Sequence, residues 1–373
     1  MREVFKEIEA WRAQGKSVAI ATNVKIDGSS LRPLGAKMAM TATQPAAGSG
    51  PAQEIAGSVT GGCIEGVVYE EAQAIIKDGQ PKLLHYGVPS EDTPWEVGLS
   101  CGGTLEVFVE SLDGPAWREI YPALKNCLEN NQLAAVATLI AGPGLGRKLM
   151  LQPDGSTLGS LGSAALNAQV LDWMRLESAI QESTWRAFQD ADQSVDVFVD
   201  VFVPAARMIV VGAGHIAIPL VTLAKALGYH TIVIDPRTAF ATRERFPHVD
   251  ELISEWPSSA LEKLRPDEGT YIAVLSHDEK LDNPALAVAL TSPARYVGVL
   301  GTRKKLHLRY AALRELGVSN EQLTRLRAPI GMYIGAVLPD EIALSILAEM
   351  VSARHGIHQA ATRQGAPLVP LPA

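Results

Sequence analysis

Two cysteines stand in settings where a thiol could do chemistry. Gly61-Gly62-Cys63 runs into a segment of helical pattern, and Cys101-Gly102-Gly103 runs into a strongly β-prone one. Glycines leave backbone N–H groups uncovered and permit nest conformations that hold anions. A thiol at a helix N-terminus is favoured as thiolate, the form that acts as nucleophile or soft metal ligand. The plainer alternative is a small buried hydrophobe, and for Cys127, on an amphipathic stretch from Trp117 to Glu129, that alternative prevails. Neither glycine-flanked cysteine belongs to a C-x-x-C pair and no histidine cluster completes a tetrahedral set, so structural zinc is not expected. Glu65, in the first turn of the Cys63 helix, reads either as a proton-handling group or as an ordinary helix-start acid.

A second group lies further along. Gly212-Ala-Gly214-His-Ile-Ala217 has the pattern of a dinucleotide fingerprint. Gly212 would allow the tight turn, Gly214 the approach of a pyrophosphate to the backbone, and Ala217 close packing of helix on strand. Asp235 follows about 20 residues later, at the end of the next strand, where a carboxylate accepts ribose hydroxyls. Arg237 beside it softens the preference for an unphosphorylated 2′-hydroxyl. A Rossmann-like fold with a vacant site is the alternative. Ser276-His277-Asp278 and Gly301-Thr-Arg303-Lys-Lys305 each follow a predicted strand of the same sheet. Cations at a helix start oppose the helix dipole, so a phosphate is a better account of Arg303 than a solvated turn. For His277, a surface-loop histidine and a functional one both stay open.

These residues need elements to position them. From the N-terminus, a helix (3–13) and strands at 18–26, 37–41 and 54–59 precede the Cys63 helix (64–77). Strands at 82–86 and 104–110 close the block. Residues 43–53, rich in Pro, Gly and Ser, read as a flexible loop. A second block then echoes the first: Val18-Ala-Ile-Ala-Thr22 returns as Ala134-Ala-Val-Ala-Thr138, and Glu106-Val-Phe-Val-Glu110 as Asp196-Val-Phe-Val-Asp200. Such echoes in one order suggest an internal duplication. The second copy has Gly162-Ser163-Ala164 in place of Gly61-Gly62-Cys63, so one copy would hold chemistry and the other complete the core. From residue 206, strands alternate with helices, the pattern of a parallel doubly wound sheet. The fold class expected is therefore α/β: a duplicated N-terminal α/β domain (1–203, repeats 1–112 and 113–203), then a Rossmann-like domain (206–358). The tail 359–373 lacks periodicity and is expected to be disordered.

Composition narrows the function classes. The chain has 373 residues, 47% hydrophobic and 20% charged, which suffices for packed cores and excludes a largely disordered chain. A net charge of −8 argues against general nucleic-acid binding. No apolar run is long enough to span a membrane, and the N-terminus lacks a signal-peptide core, so a cytoplasmic location is expected. Three cysteines make no disulfide framework.

Five stretches together resemble the xanthine dehydrogenase accessory (XdhC/CoxI) family. They are Gly28-Ser-Ser-Leu-Arg-Pro-Leu-Gly-Ala-Lys-Met38, Gly57-Ser-Val-Thr-Gly-Gly-Cys-Ile-Glu65 and Gly98-Leu-Ser-Cys-Gly-Gly103. Ala328-Pro-Ile-Gly-Met-Tyr-Ile-Gly335 and Asp340-Glu-Ile-Ala-Leu-Ser-Ile-Leu-Ala-Glu349 complete the set, which departs from the family pattern at Leu31 and at Met332-Tyr333. The resemblance implies a dimeric, non-catalytic chaperone that binds the molybdenum cofactor, as molybdopterin or its dinucleotide form. It further implies assistance to sulfuration by a cysteine desulfurase and delivery to a molybdenum hydroxylase apoenzyme. On that reading Gly61, Gly62, Cys63, Cys101, Gly102 and Gly103 contact the cofactor, with Cys63 and Cys101 as ligands of molybdenum or carriers of sulfur. Gly212, Gly214, Ala217, Asp235, His277 and Arg303 take its phosphate or a nucleotide such as NAD(P). An NAD(P)-dependent oxidoreductase and a nucleotide-sensing scaffold are the competing classes, the first lacking any Ser-Tyr-Lys set.

Overall fold

A computed structural model describes residues 1–42, 54–87 and 103–355. The predicted loop 43–53, Cys101 and Gly102, and the tail 359–373 lie outside the described residues. The chain divides into two compact units, Met1–Pro204 and Ala205–Ala373. Among the described residues no helix is long and apolar enough to cross a membrane.

Unit 1 is built from one pattern used twice. Its first half runs α1 (Phe5–Ala13), β1 (Val18–Asp27), β2 (Lys37–Thr41), β3 (Ile55–Gly57), α2 (Glu65–Asp78), β4 (Lys82–Tyr86) and β5 (Thr104–Ser111). The second half repeats this as α3 (Pro115–Glu129), β6 (Ala134–Ala141), β7 (Lys148–Leu151), β8 (Thr157–Gly159), α4 (Ala164–Ile180), β9 (Thr184–Asp190) and β10 (Gln193–Phe202). The antiparallel sheets have matching orders, β3-β2-β1-β5-β4 and β8-β7-β6-β10-β9. A register shift falls at Asn23/Lys25 in the first and at Asp196/Val197 in the second. Alternation in the strands gives each sheet two covered faces. One face of the first sheet takes the Val68, Ala72 and Ile75 stripe of α2, and one face of the second takes Val170 and Met174 of α4. Residues from both halves, including Ile20, Trp117, Ile120, Val136 and Met150, meet in a shared core.

That shared core contains charges. Lys37 on β2 pairs with Asp200 on β10 at 2.6 Å and donates to Thr22 on β1 at 3.1 Å. Lys148 on β7 pairs with Glu110 on β5 at 2.7 Å and donates to Thr138 on β6 at 2.9 Å. Each lysine thus uses a threonine of its own half and a carboxylate of the other. Burial pulls the Lys148 ammonium below the ordinary lysine range despite its ion pair with Glu110.

Unit 2 comprises β11 (Arg207–Val211), α5 (Ala217–Ala226), β12 (His230–Ile234), β13 (Glu251–Ile253), α6 (Pro257–Leu264) and β14 (Thr270–Val274). It continues with α7 (Glu279–Thr291), β15 (Tyr296–Val299), α8 (Leu306–Glu315), α9 (Asn320–Leu323), β16 (Leu326–Arg327) and α10 (Pro339–Arg354). The six strands are parallel in the order β13-β12-β11-β14-β15-β16. Near-continuous apolar strands such as Met208–Val211 suit a sheet covered on both faces. Two separate cores show that it is: α5 and α10 contribute to one, and α6 and α7 to the other. Strand order reverses between β11 and β14, which places a crevice at the C-terminal ends of these two strands. Pro339 opens α10, where its missing N–H costs nothing, and Glu341 accepts from Val337 N and Leu338 N.

Candidate functional site

In unit 1 the chain leaves β3 through Ser58-Val-Thr-Gly-Gly-Cys63 and enters α2 at Glu65. The Glu65 side chain turns back into this loop and fills it. Its carboxylate accepts hydrogen bonds from Ser58 Oγ (2.5 Å), Thr60 Oγ1 (2.7 Å) and the backbone N–H groups of Thr60, Gly61 and Gly62 (2.9 Å each). The amide of Ile64 adds a sixth contact at 3.2 Å. Burial works against ionisation, yet the Ser58 and Thr60 hydrogen bonds outweigh it and hold the carboxyl down to about 2. Glu65 is therefore a fixed internal anion rather than a proton shuttle. The Gly61 and Gly62 amides, expected to face a ligand anion, face this carboxylate, because a charge in the same chain reaches them at no cost in association entropy.

Cys63 sits at the end of that closed loop with its side chain exposed. Its backbone N–H donates to Thr60 Oγ1 at 3.1 Å, so the loop's bonds also fix the cysteine. The segment after β1 covers the same region. Arg32 Nε donates to Ser58 O at 3.2 Å, and Asn23 Nδ2 on β1 donates to Val59 O at 2.7 Å. Leu31 lies against Gly61, and Gly28 against Gly103: a Cβ on Gly103 would come within 2.7 Å of Asp27 O. The structure thus brings Gly61, at the head of the Gly61-Gly62-Cys63 run, and Gly103 to the same segment, residues 27–32. Cys127 is buried, its thiol pushed up by that burial. The equivalent turn of the second half is closed differently: Ser163 caps α4 by accepting from Leu166 N at 3.0 Å, and Asn167 Oδ1 accepts from Leu161 N at 2.8 Å. It carries no thiol.

In unit 2 the fingerprint loop joins β11 to α5 at the point of strand reversal. A side chain at Gly212 would strike the Ser276 backbone at 2.6 Å, so glycine lets the loops after β11 and β14 touch. A Cβ on Gly214 would meet nothing nearer than Leu275 O at 3.9 Å, which leaves open space over its backbone. Ala217, the first residue of α5, is fully buried against the sheet. His277, exposed, adopts φ +61°, a conformation uncommon outside glycine. Arg303 lies in a short 3-10 turn, Arg303–Lys305, between β15 and α8. Behind the β14 end, Ser276 Oγ donates to buried Asp282 at 2.6 Å, and Arg309 donates to Asp282 at 3.3 Å and to Asn283 at 3.0 Å. Burial raises the Asp282 carboxyl above its ordinary value, against these bonds.

Asp235, at the end of β12, has its carboxylate fully engaged within the chain. It is fully buried and accepts from Ala213 N (2.7 Å), Arg237 N (2.9 Å), Arg237 Nε (2.9 Å) and Arg237 Nη2 (2.7 Å). Burial opposes its charge, but the Arg237 guanidinium and these amides keep the carboxyl below the usual range. The ribose contact expected of it is already occupied by Arg237, two residues away and able to fold back in bidentate geometry.

Sequence reasoning missed the Glu65 latch and the Asp282–Arg309 pair. Glu65 had a visible signal, since a carboxylate just past a Ser-x-Thr-Gly-Gly run has donors within reach. Asp282 and Arg309 are 27 residues apart and left none. Among the described residues no three His, Cys, Asp or Glu side chains cluster as a metal site.

The chain is similar to known proteins over nearly its whole length. Residues 11–87 match the model of the XdhC and CoxI family, and residues 208–350 that of the XdhC Rossmann domain, together more than half of the chain. A Bacillus subtilis protein named as a probable xanthine dehydrogenase subunit is 26% identical over 348 residues, covering 93% of this chain and 96% of that protein. The molybdenum cofactor insertion chaperone PaoD of Escherichia coli is 27% identical over 348 residues, covering 92% and 85%. Among solved structures, one described as a xanthine dehydrogenase from Bacillus halodurans aligns with a TM-score of 0.74 at 25% identity, covering 95% of this chain and 97% of that one.

Proposed function

The chain belongs to the XdhC and CoxI family, and on that premise we propose that it is a carrier of the molybdenum cofactor. It receives the cofactor as molybdopterin or its dinucleotide form, presents it for sulfuration by a cysteine desulfurase, and passes it to a molybdenum hydroxylase apoenzyme. It does so as a homodimer in the cytoplasm, without a catalytic centre of its own. The relation to a protein named as a molybdenum cofactor insertion chaperone supports this role. The observation that carries it is Cys63, an exposed thiol on a loop held rigid by Glu65, with the Gly103 end of the Cys101 stretch against the same segment.

Cys63, together with Cys101, would bind molybdenum or carry the sulfur, since a soft thiolate suits either. A phosphate from the cargo reaches the Gly61 and Gly62 amides only by displacing the Glu65 carboxylate, so unit 1 holds the soft end of the cargo. Unit 2 takes a nucleotide, whether that of a dinucleotide cofactor or NAD(P), over the open backbone at Gly214. The test is to purify the protein from cells that make molybdopterin and to quantify pterin released on denaturation. Cys63→Ala should retain several-fold less pterin with unchanged circular dichroism. Equal loading of variant and parent would overturn the role of the thiol, and no pterin on either would overturn the carrier reading.

A further inference from the structure

We propose that the end of β12 is built for a nucleotide with an extra phosphate on its ribose, of the 2′-phosphorylated NADP class, and that Arg237 reads that phosphate. This rests on the reading of residues 212–217 as a nucleotide site. In a sheet of this order the ribose comes to the end of the strand after the fingerprint helix, where an acidic residue ordinarily takes its hydroxyls. Asp235 stands there, but an ionised carboxylate offers about four lone-pair sites and Asp235 uses four: Ala213 N and Arg237 Nη2 on one oxygen, Arg237 N and Nε on the other. With no exposed surface, it has nothing left for a ribose.

What faces outward at that position is the guanidinium. The Arg237 side chain is 40% exposed, and its Nη1 lies outside the contacts to Asp235. Arg245 stands beside it, and both guanidinium groups pack on the ring of Phe240, at 4.6 and 5.4 Å from the centroid. That ring is itself exposed. Arg245 Nη1 donates to Ala213 O at 3.0 Å and to Phe240 O at 2.7 Å. The Ala213 residue of the fingerprint loop is therefore tied to this corner through both its N–H and its carbonyl. Two planar cations suit a phosphate dianion in bidentate geometry, and an exposed aromatic beside them suits a base. A ribose with two plain hydroxyls finds no acceptor at Asp235 and gains nothing from the cations.

The experiment is calorimetric titration of the full chain with adenosine 2′,5′-bisphosphate and with adenosine 5′-monophosphate. The parent protein should bind the bisphosphate about tenfold tighter or more, the effect of one added charge-assisted pair. Arg237→Gln should bring the two affinities within about twofold by removing that pair. Arg237→Lys keeps a cation opposite Asp235 without the planar fork, and should lose most of the preference even if the glutamine variant folds poorly. Gly214→Val, which has room for its side chain, should abolish both. Equal affinities in the parent overturn the inference and leave the nucleotide reading standing. A preference that survives both Arg237 variants overturns the role of Arg237. Binding of neither nucleotide overturns the nucleotide reading and this inference with it.

Discussion

Glu65 shows how one carboxylate can set the character of a site without touching a ligand. Five of its contacts come from residues 58–62, and removing it leaves those donors facing each other around an empty centre. Unpaired donors cost about 1–3 kcal/mol each when buried and less where water reaches them, as it does here. Glu65→Ala should therefore destabilise unit 1 by about 1–3 kcal/mol in total. At constant pH it should also change the rate at which a bulky thiol reagent modifies Cys63. Unchanged urea midpoints and modification rates would show that the loop holds its shape without the carboxylate. This latch was only half legible in the sequence. Its position invited a helix-start acid, but its partners are mostly backbone amides, which carry no side-chain signature. Asp235 is the same lesson: spacing placed it at the end of β12, while the neighbour that occupies it, Arg237, was visible only as a nearby charge.

At the scale of elements, the echoed strands were readable because alternation and apolar runs are local properties. The two matching sheets and the parallel sheet after them follow from those patterns. The cross-linking of the halves does not. Lys37 and Lys148 open β2 and β7 at equivalent positions, yet nothing local says that each pairs with a carboxylate of the other half. These pairs have almost no contact with solvent, the Lys148 side chain being 1% exposed. A buried pair adds little over an apolar replacement, but half a pair is costly, because the remaining charge has neither partner nor water. Lys148→Met should thus destabilise the protein by about 3–5 kcal/mol, and adding Glu110→Leu should recover most of the loss. Denaturant titrations of the single and double variants would decide this. Additive losses in the double variant would mean that the pair contributes packing rather than charge compensation.

Over the whole molecule the ionised groups set a direction for the response to acid. Glu65, Asp235, Asp250 and Asp267 each lose hydration on folding, from Asp235 with no exposed surface to Asp267 with most of its side chain in water, and that loss works against ionisation. In each case hydrogen bonds or a cation outweigh that penalty and leave the folded carboxyl below its ordinary value. For such groups the unfolded chain binds protons first as pH falls, so their stabilisation is complete above the ordinary carboxylate range and drains away below it. Asp282 has the opposite sign: burial raises it, the folded form takes the proton first, and its share of stability grows on acidification. Glu9, Glu54, Asp154 and Glu341 are held down as well, so among the described carboxyls the lowered groups outnumber the one raised, and net loss is predicted on the acid side. For Glu65 the window runs from its ordinary 4.5 down to about 2. Five of the six tryptophans lie in residues 1–204, so indole fluorescence reports mainly on unit 1, which contains Glu65. The urea midpoint followed by that signal should fall steadily as pH drops from 5 through 3, roughly the window of carboxylate titration. In Glu65→Gln the midpoint should start lower at neutral pH and fall less steeply, because the group whose titration drives part of the slope is gone. Parallel slopes for the variant and the parent would assign the acid sensitivity of unit 1 to its other carboxylates.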